Sequence, residues 1–425
     1  MTHFATIEEL RVRAKRRVPK MFYEYVDAGS WSESTYRANS DDFAQLKFRQ
    51  RVAVDFSRRN LATTMIGEPV SMPVALAPTG IAGMQHADGE ILAARAAARF
   101  NVPFTLSTVS VCSIEDVAAH TQRPFWFQLY MMKDRVFIAD LIRRAELAGC
   151  SALVLTLDLQ IQGQRHKDLR NGLSTPPKLT LRNLAHLARY PAWCAGMLRT
   201  SRHTFGNIVG HAPGVDGIAS MAEWAKNQFD PTLTWKDIDW VRKHWRGKLI
   251  LKGILDPEDA KIAARCGADA LIVSNHGGRQ LDGAPSTISM LPRIAAAVQG
   301  DIELHMDSGI RSGQDVLKAL ACGAHAVYIG RAFLYGLGAA GEAGVTRALE
   351  IIRSELDTTM ALCGITDVRN VDGRALVDGG FRPATYDAMQ AAATAATSSA
   401  SAATSVATSV ATSAPAAPLT VHAAA

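Results

Sequence analysis

The chain lacks any apolar run of about 18 residues, so no segment of it reads as a membrane-spanning helix. It also lacks a secretory apolar core. The start, Met1-Thr2-His3-Phe4, is soon followed by the basic stretch Arg11-Val12-Arg13-Ala14-Lys15-Arg16-Arg17. Its six cysteines, Cys112, Cys150, Cys194, Cys266, Cys322 and Cys363, form no C-x-x-C pair. Buried free thiols in a reducing cytoplasm are the expectation, and no metal is expected. No G-x-G-x-x-G follows the first apolar run, which argues against an open dinucleotide-binding sheet.

What is present is ordinary for a globular chain: 48% hydrophobic and 20% charged residues over 425 positions, enough for one large core plus extensions. The formal charge of +6 is dispersed along the chain, so nucleic acid is not an expected partner. A mildly basic surface favours acidic substrates or an anionic membrane face.

Residues 391–425 are almost entirely Ala, Ser, Thr, Val and Pro, with no large side chains to bury, and read as a disordered tail. At the other end, Ile7, Leu10, Ala14 and Val18, followed by Met21, Phe22 and Tyr25, recur at helical spacing. Between them eight short apolar runs repeat: Val74–Pro78, Phe104–Thr108, Phe125–Tyr130, Ala152–Asp158, Leu249–Gly253, Ala270–Asn275, Glu303–Gly309 and Ala326–Arg331. Helical patterns such as Asp88–Phe100, Val136–Ala148, Pro257–Cys266 and Gly313–Cys322 separate them. Uniformly apolar strands alternating with helices predict an α/β fold with a buried parallel sheet, and eight units predict a (β/α)8 barrel over about 74–336. Cys266-Gly267-Ala268-Asp269-Ala270 and Cys322-Gly323-Ala324-His325-Ala326 echo one another before the sixth and eighth runs, as a repeated unit should. The predicted domain spans 1–385. A long insertion of about 170–235 separates the fourth and fifth runs, where a handful of residues is usual.

Barrels carry their chemistry at the C-terminal ends of their strands. Here those ends hold Pro78-Thr79, Ser107-Thr108, Gln128 and Tyr130, Thr156 and Asp158, Lys252, Ser274-Asn275-His276, Asp307-Ser308-Gly309 and Gly330-Arg331. Asp307-Ser308-Gly309-Ile310-Arg311-Ser312-Gly313 with Gly330-Arg331 reads as a phosphate site, because glycine amides, a helix N-terminus and guanidinium groups together hold a dianion; glycines serving tight turns alone are the alternative. Ser274-Asn275-His276-Gly277-Gly278-Arg279-Gln280-Leu281-Asp282 is sharper. It sets a base and a carboxylate-binding cation three residues apart on one loop. Lys252 on an apolar strand requires a charged partner. Taken singly, Tyr23 fits a core position, and Asp158 with Arg165 fits a structural pair.

That nine-residue motif closely resembles the signature of the FMN-dependent L-2-hydroxy-acid dehydrogenases and oxidases, and the likeness runs from about Ile7 to about Gly380. Thr105–Cys112, Lys252–Ala260 and Gly330–Tyr335 look most like the bacterial L-lactate dehydrogenases of the quinone or cytochrome type. The resemblance implies oxidation of an L-2-hydroxy acid such as L-lactate, with FMN as the electron acceptor. It implies His276 as the base and Asp158 as its partner. Arg165, Arg279 and Tyr23 would hold the substrate carboxylate, Tyr130 the substrate oxygen, and Lys252 the flavin N1–C2 edge. Pro78, Thr79, Gly80, Ser107, Gln128, Thr156 and Ser274 would contact the flavin. Asp307 would take the ribityl chain, and Gly309, Arg311, Gly330 and Arg331 the phosphate. A homotetramer passing electrons to quinone or cytochrome is implied, cytoplasmic or peripheral on the inner face of the cell membrane.

The chain also departs from the family pattern. Gly80 stands where the oxidases carry alanine, and Val109 where glycolate oxidase carries tryptophan. Leu159-Gln160-Ile161-Gln162 is nearer the mandelate type than the lactate type, and His305-Met306 is unusual. These leave an oxygen-using oxidase and a mandelate-type dehydrogenase for larger hydroxy acids as alternatives. In the insertion, Leu181, Leu184, Leu187, Ala188, Trp193, Met197 and Leu198 alternate with Arg182, Arg189, Arg199 and Arg202. That pattern fits a basic amphipathic segment on a membrane, and equally a lid or subunit interface.

Overall fold

The computed structural model describes residues 4–173, 187–217, 220, 224 and 228–377. The tail at 391–425 and the insertion positions Leu181, Arg182 and Leu184 lie outside the described residues.

Two short strands, β1 (Thr63–Met65) and β2 (Glu68–Val70), pair antiparallel. Eight further strands follow: β3 (Val74–Leu76), β4 (Thr105–Ser107), β5 (Trp126–Tyr130), β6 (Ala152–Thr156), β7 (Lys248–Ile254), β8 (Ala270–Val273), β9 (Glu303–Met306) and β10 (Ala326–Ile329). They run parallel in the order β3-β10-β9-β8-β7-β6-β5-β4, and a bridge between Leu76 and Phe104 joins the two ends. The sheet is therefore a (β/α)8 barrel, and the open doubly wound alternative is excluded. The ring of parallel ladders leaves no free sheet edge.

Sequence sets several helix starts locally. Asp134 accepts from Phe137 N, Asp256 accepts from Glu258 N just before Pro257, and Ser312 forms a reciprocal capping box with Asp315. The N-terminal apolar pattern is not one helix. Pro19 divides it into Ile7–Arg17 and Lys20–Val26. The longest helix, Arg331–Leu362, breaks its backbone at Ala340 and Gly341.

Two apolar clusters form. The larger packs the helices against the outside of the strands. The smaller fills the barrel axis with Ala75, Val154, Ile250, Ile272, Trp126 and Tyr328, and is capped at the N-terminal end by Met65, Ile66 and Val70 of the β1–β2 hairpin. One polar thread runs through that axis. His305 is fully buried, with Nε2 2.8 Å from Glu303 Oε1 and Nδ1 3.2 Å from the Tyr328 hydroxyl. Glu303 Oε1 also accepts from the Ile66 amide at 2.9 Å, tying the barrel core to its hairpin plug.

The described parts of the insertion lie against the barrel. Asn207 is fully buried and donates to the Ser107 carbonyl and Ser110 Oγ. Arg202 pairs with Asp88 and Asp116. Trp193 stacks on Phe22 at 5.4 Å, while Leu198 is exposed. No helix among the described residues is long and apolar enough to cross a membrane.

Candidate active site

A cavity of about 890 Å³ opens where the strands end C-terminally, a size suited to a cofactor with a small substrate. Among the described residues five cationic side chains line it, Arg165, Lys252, Arg279, Arg311 and Arg331, against two carboxylates, Asp168 and Asp307. That imbalance makes it a receptor for anions.

His276 sits in the left-handed region (φ +57°) just beyond β8 and places Nδ1 2.8 Å from Asp158 Oδ1. Asp158 reaches it from beyond β6 past Gly253, where β7 shifts register. A Cβ on Gly253 would lie 2.6 Å from Asp158 Cγ, and its φ of +103° is glycine's as well. Burial pushes His276 below its ordinary value of 6.5, and Lys252 adds to this while Asp158 opposes it. Burial alone would raise the Asp158 carboxyl, but the charges of His276 and Lys252 outweigh it, so the net direction is down. The result is a neutral imidazole beside a carboxylate. With Nδ1 donating to Asp158, the ring's lone pair is on Nε2.

Lys252, on β7, is buried with Nζ 3.1 Å from Asp307 Oδ2 and 2.9 Å from Ser274 Oγ. Burial works against its charge, yet Asp307 and Asp158 prevail and hold it above 10.5. It is a fixed cation in the cavity wall.

Arg279 lies over the Tyr25 ring, 4.6 Å from its centroid, and Nη1 donates to the Tyr25 and Ala28 carbonyls. Its Nη2 is buried and makes no hydrogen bond. Burial, then the neighbouring Arg279, bring the Arg165 guanidinium down to about 10. The two guanidinium groups thus lie close enough for each charge to oppose the other. Tyr130 borders the same space, and burial raises its phenol, so it stays protonated and can donate.

At the far end, Arg331 donates to the Val26 and Ala28 carbonyls at 2.8 and 2.7 Å and lies over Tyr36. Burial lowers it to about 10. The amides of Gly309, Ile310 and Gly330 find no acceptor among the described residues. The N-terminus facing this end is that of Arg331–Leu362, which has no side-chain cap. The expected helix after Ser312 is not available: its box is closed by Ser312 and Asp315, and Gly313 N donates to Glu355 at 2.8 Å.

The sequence-derived set divides accordingly. Pro78, Thr79, Gly80, Tyr130, Thr156, Arg165, Lys252, His276, Arg279, Asp307, Gly309, Arg311, Gly330 and Arg331 all border the cavity. Asp158 stands directly behind His276. Ser107, Gln128 and Ser274 do not line it. They form a buried layer beneath, Ser107 Oγ to Gln128 Oε1, Gln128 Nε2 to Thr156 Oγ1, and Ser274 Oγ to Lys252. Tyr23 requires correction. Its hydroxyl donates to Asp27 at 2.8 Å and accepts from Arg11, away from the cavity, whereas Tyr25, two residues on, lines it. Both tyrosines share one helix, and spacing alone does not tell which face meets Arg279.

Sequence reasoning also left Asp282 and Asp168 without roles. Asp282 accepts from Ser32 N, Ser32 Oγ, Ser34 Oγ and Thr35 N, so it caps the helix Ser34–Gln45 and fastens the His276–Arg279 loop to it. The fit is tight. A Cβ on Gly278 would lie 2.5 Å from Tyr36 N. Asp168 falls in an unremarkable R-x-x-D spacing that offered no signal.

The family model for FMN-dependent dehydrogenase matches residues 14–378. The chain is 45% identical over 372 residues to an L-lactate dehydrogenase of Chromohalobacter salexigens, covering 87% of this chain and 95% of that one. An L-lactate dehydrogenase of Serratia proteamaculans is 45% identical over 372 residues, covering 87% and 98%. Among solved structures, a monotopic membrane protein (S)-mandelate dehydrogenase superposes with a TM-score of 0.84 at 35% identity, covering 88% of this chain and 100% of that one. A mandelate oxidase gives 0.75 at 35%, covering 88% and 98%.

Proposed function

Because this chain belongs to the family of FMN-dependent dehydrogenases, we propose that it oxidises a small L-2-hydroxy acid, L-lactate first, to the 2-oxo acid, pyruvate in that case. The observation that carries the reading is the meeting, in one cavity, of a neutral His276 backed by Asp158 with the guanidinium groups of Arg165 and Arg279. A base and a carboxylate clamp are what a 2-hydroxy acid needs.

The residues present suit FMN. Arg311, Arg331 and the free amides of Gly309, Ile310 and Gly330 would hold its phosphate, Asp307 and Ser308 its ribityl hydroxyls, and Pro78, Thr79, Gly80 and Thr156 its ring. When bound, FMN supplies the two-electron acceptor of the reaction. Lys252, held cationic by Asp307, sets a positive charge in that wall.

Arg165 and Arg279 bind the substrate carboxylate, and Arg279 Nη2, which makes no hydrogen bond among the described residues, offers a ready donor. Tyr25 and Tyr130 orient the substrate oxygens through their hydroxyls. Oxidation removes two electrons and two hydrogens from the hydroxy acid, and His276 Nε2 takes one hydrogen as a proton. Asp158 stabilises the imidazolium so formed.

The family resemblance supports a homotetramer, with quinone or cytochrome as the electron acceptor. It also supports peripheral contact with the inner face of the cell membrane, with which the monotopic (S)-mandelate dehydrogenase is compatible. Anaerobic visible spectra with L- and D-lactate test the central reading. Bleaching of a yellow protein by the L form alone is expected, and a protein that takes up no FMN sinks it. A second reading, a larger hydroxy acid such as mandelate, is favoured by the apolar wall of Val109, Phe205, Ile208 and Phe229. Bleaching by L-mandelate but not L-lactate would select it.

A further inference from the structure

Asp168 is a carboxylate placed where a carboxylate-binding site should least tolerate one. It is 8% exposed and lines the cavity beside the two arginines. Its Oδ2 lies 3.9 Å from Arg279 Nη2, near enough to attract and too far to hydrogen-bond. Its Oδ1 and Arg279 Nη2 are both buried without a hydrogen-bond partner among the described residues. Nor does Asp168 hold Arg279 in place. The Tyr25 and Ala28 carbonyls and the Tyr25 ring do that. Arg165 is likewise positioned by other groups, the Arg279 carbonyl at 3.3 Å and Gln280 Oε1 at 3.4 Å.

A buried carboxylate that neither caps nor orients still acts through its charge. We propose that Asp168 is a counter-anion to the arginine pair, competing with the ligand carboxylate for Arg279 and so weakening the hold on substrate and product enough for release. The inference rests on the arginine pair being the carboxylate clamp. Substrate and product carry the same carboxylate, so a clamp of two unopposed guanidinium groups would bind both tightly and slow turnover.

The groups facing Asp168 make the competition sensitive to pH. The helix Lys20–Val26 brings Glu24, the loop beyond β8 brings Arg279, and its own stretch brings Arg165; Tyr25, Tyr130 and His276 line the same cavity, and Lys167 is engaged by Glu33 at 2.9 Å. Burial raises the Asp168 carboxyl above 3.8, with Glu24 adding to this while Arg279 and Arg165 oppose it. Asp168 therefore takes up a proton at a higher pH than an ordinary aspartate, and the loss of its charge strengthens anion binding. His276 gains a proton on the same side, so the contribution of Asp168 is read as a difference between variant and wild type.

The experiment is equilibrium binding of oxalate, a carboxylate probe with no side chain to fit, to FMN-loaded wild type and Asp168→Asn. Calorimetry and the flavin spectrum read the binding at neutral pH. Tighter binding by Asp168→Asn, on the order of tenfold, is expected. Asp168→Ser, which also removes the charge, should behave alike if Asp168→Asn fails to fold. Equal or weaker binding by the variants overturns the inference while leaving the clamp intact. A wild type that binds no oxalate overturns the clamp, and the inference with it.

Discussion

Replacing Asp158 by Asn tests the base assignment most directly, because it removes one charge and keeps the shape. Asp158 Oδ1 lies 2.8 Å from His276 Nδ1. In the proposed reaction His276 becomes an imidazolium whose charge centre is on the order of 4 Å from the carboxylate's, an attraction of about 4 kcal/mol at an effective dielectric of 20. One feature reduces the loss: the Asn oxygen still accepts the Nδ1 hydrogen bond. Lys252 acts the other way, because its field, no longer opposed by Asp158, disfavours the imidazolium. A net loss of about 2–3 kcal/mol remains, roughly 30- to 150-fold in the rate constant for flavin reduction. The assay is anaerobic single-turnover bleaching over a series of L-lactate concentrations and pH values. Substrate dissociation constants should change little, because Asp158 does not face the carboxylate clamp. The wild-type rate should rise with pH through the depressed His276 value, since the base acts neutral, and then level off. In the variant the rising limb should move to lower pH while the plateau falls. A plateau within threefold of wild type, or a loss confined to substrate affinity, would refute the reasoning.

Three further outcomes follow from other contacts. Arg331→Met should release FMN, read as loss of the yellow spectrum on gel filtration, because it removes a buried guanidinium from the anion end of the cavity. His305→Leu leaves the buried Tyr328 hydroxyl and the Glu303 carboxylate without their partner. It should cost about 1–3 kcal/mol in denaturant unfolding, and Tyr328→Phe added to it should recover part of the loss. Asp282 is held below its ordinary value: burial would raise it, but hydrogen bonds from Ser32, Ser34 and Thr35 prevail. A lowered folded-state value means stability present above the unfolded value of 3.8 and lost as pH falls through the folded one. Asp282→Asn should therefore flatten the decline in melting temperature below about pH 4; an unchanged decline would show that Asp282 is not its source.

Much of this was legible in the sequence because it is local or periodic. The eight apolar runs mark the eight parallel strands, since a strand buried on both faces must be apolar throughout. Polar residues at their ends had to converge once the barrel closed, so His276, Arg279, Lys252 and Arg331 could be named in advance. The family motif supplied the expected partners. Boundaries shifted by one to three residues, and Pro19 split a pattern that reads as continuous.

What the tertiary structure alone decided is which side chains share a space. Helical spacing set Tyr23 and Tyr25 on one short helix, but only the packing of that helix under Arg279 turns Tyr25 to the cavity and Tyr23 to Asp27. Ser107, Gln128 and Ser274 end their strands as expected, yet the depth of the barrel makes them a supporting layer. Asp168, Asp282 and Gly253 carry no signal in sequence, because each acts on a residue more than 80 positions away or accommodates one. Composition and periodicity determine that this chain closes a barrel with an anion-binding mouth. Distances of a few ångströms, set by how loops pack on that barrel, decide which groups hold charge, which hold protons and which hold one another.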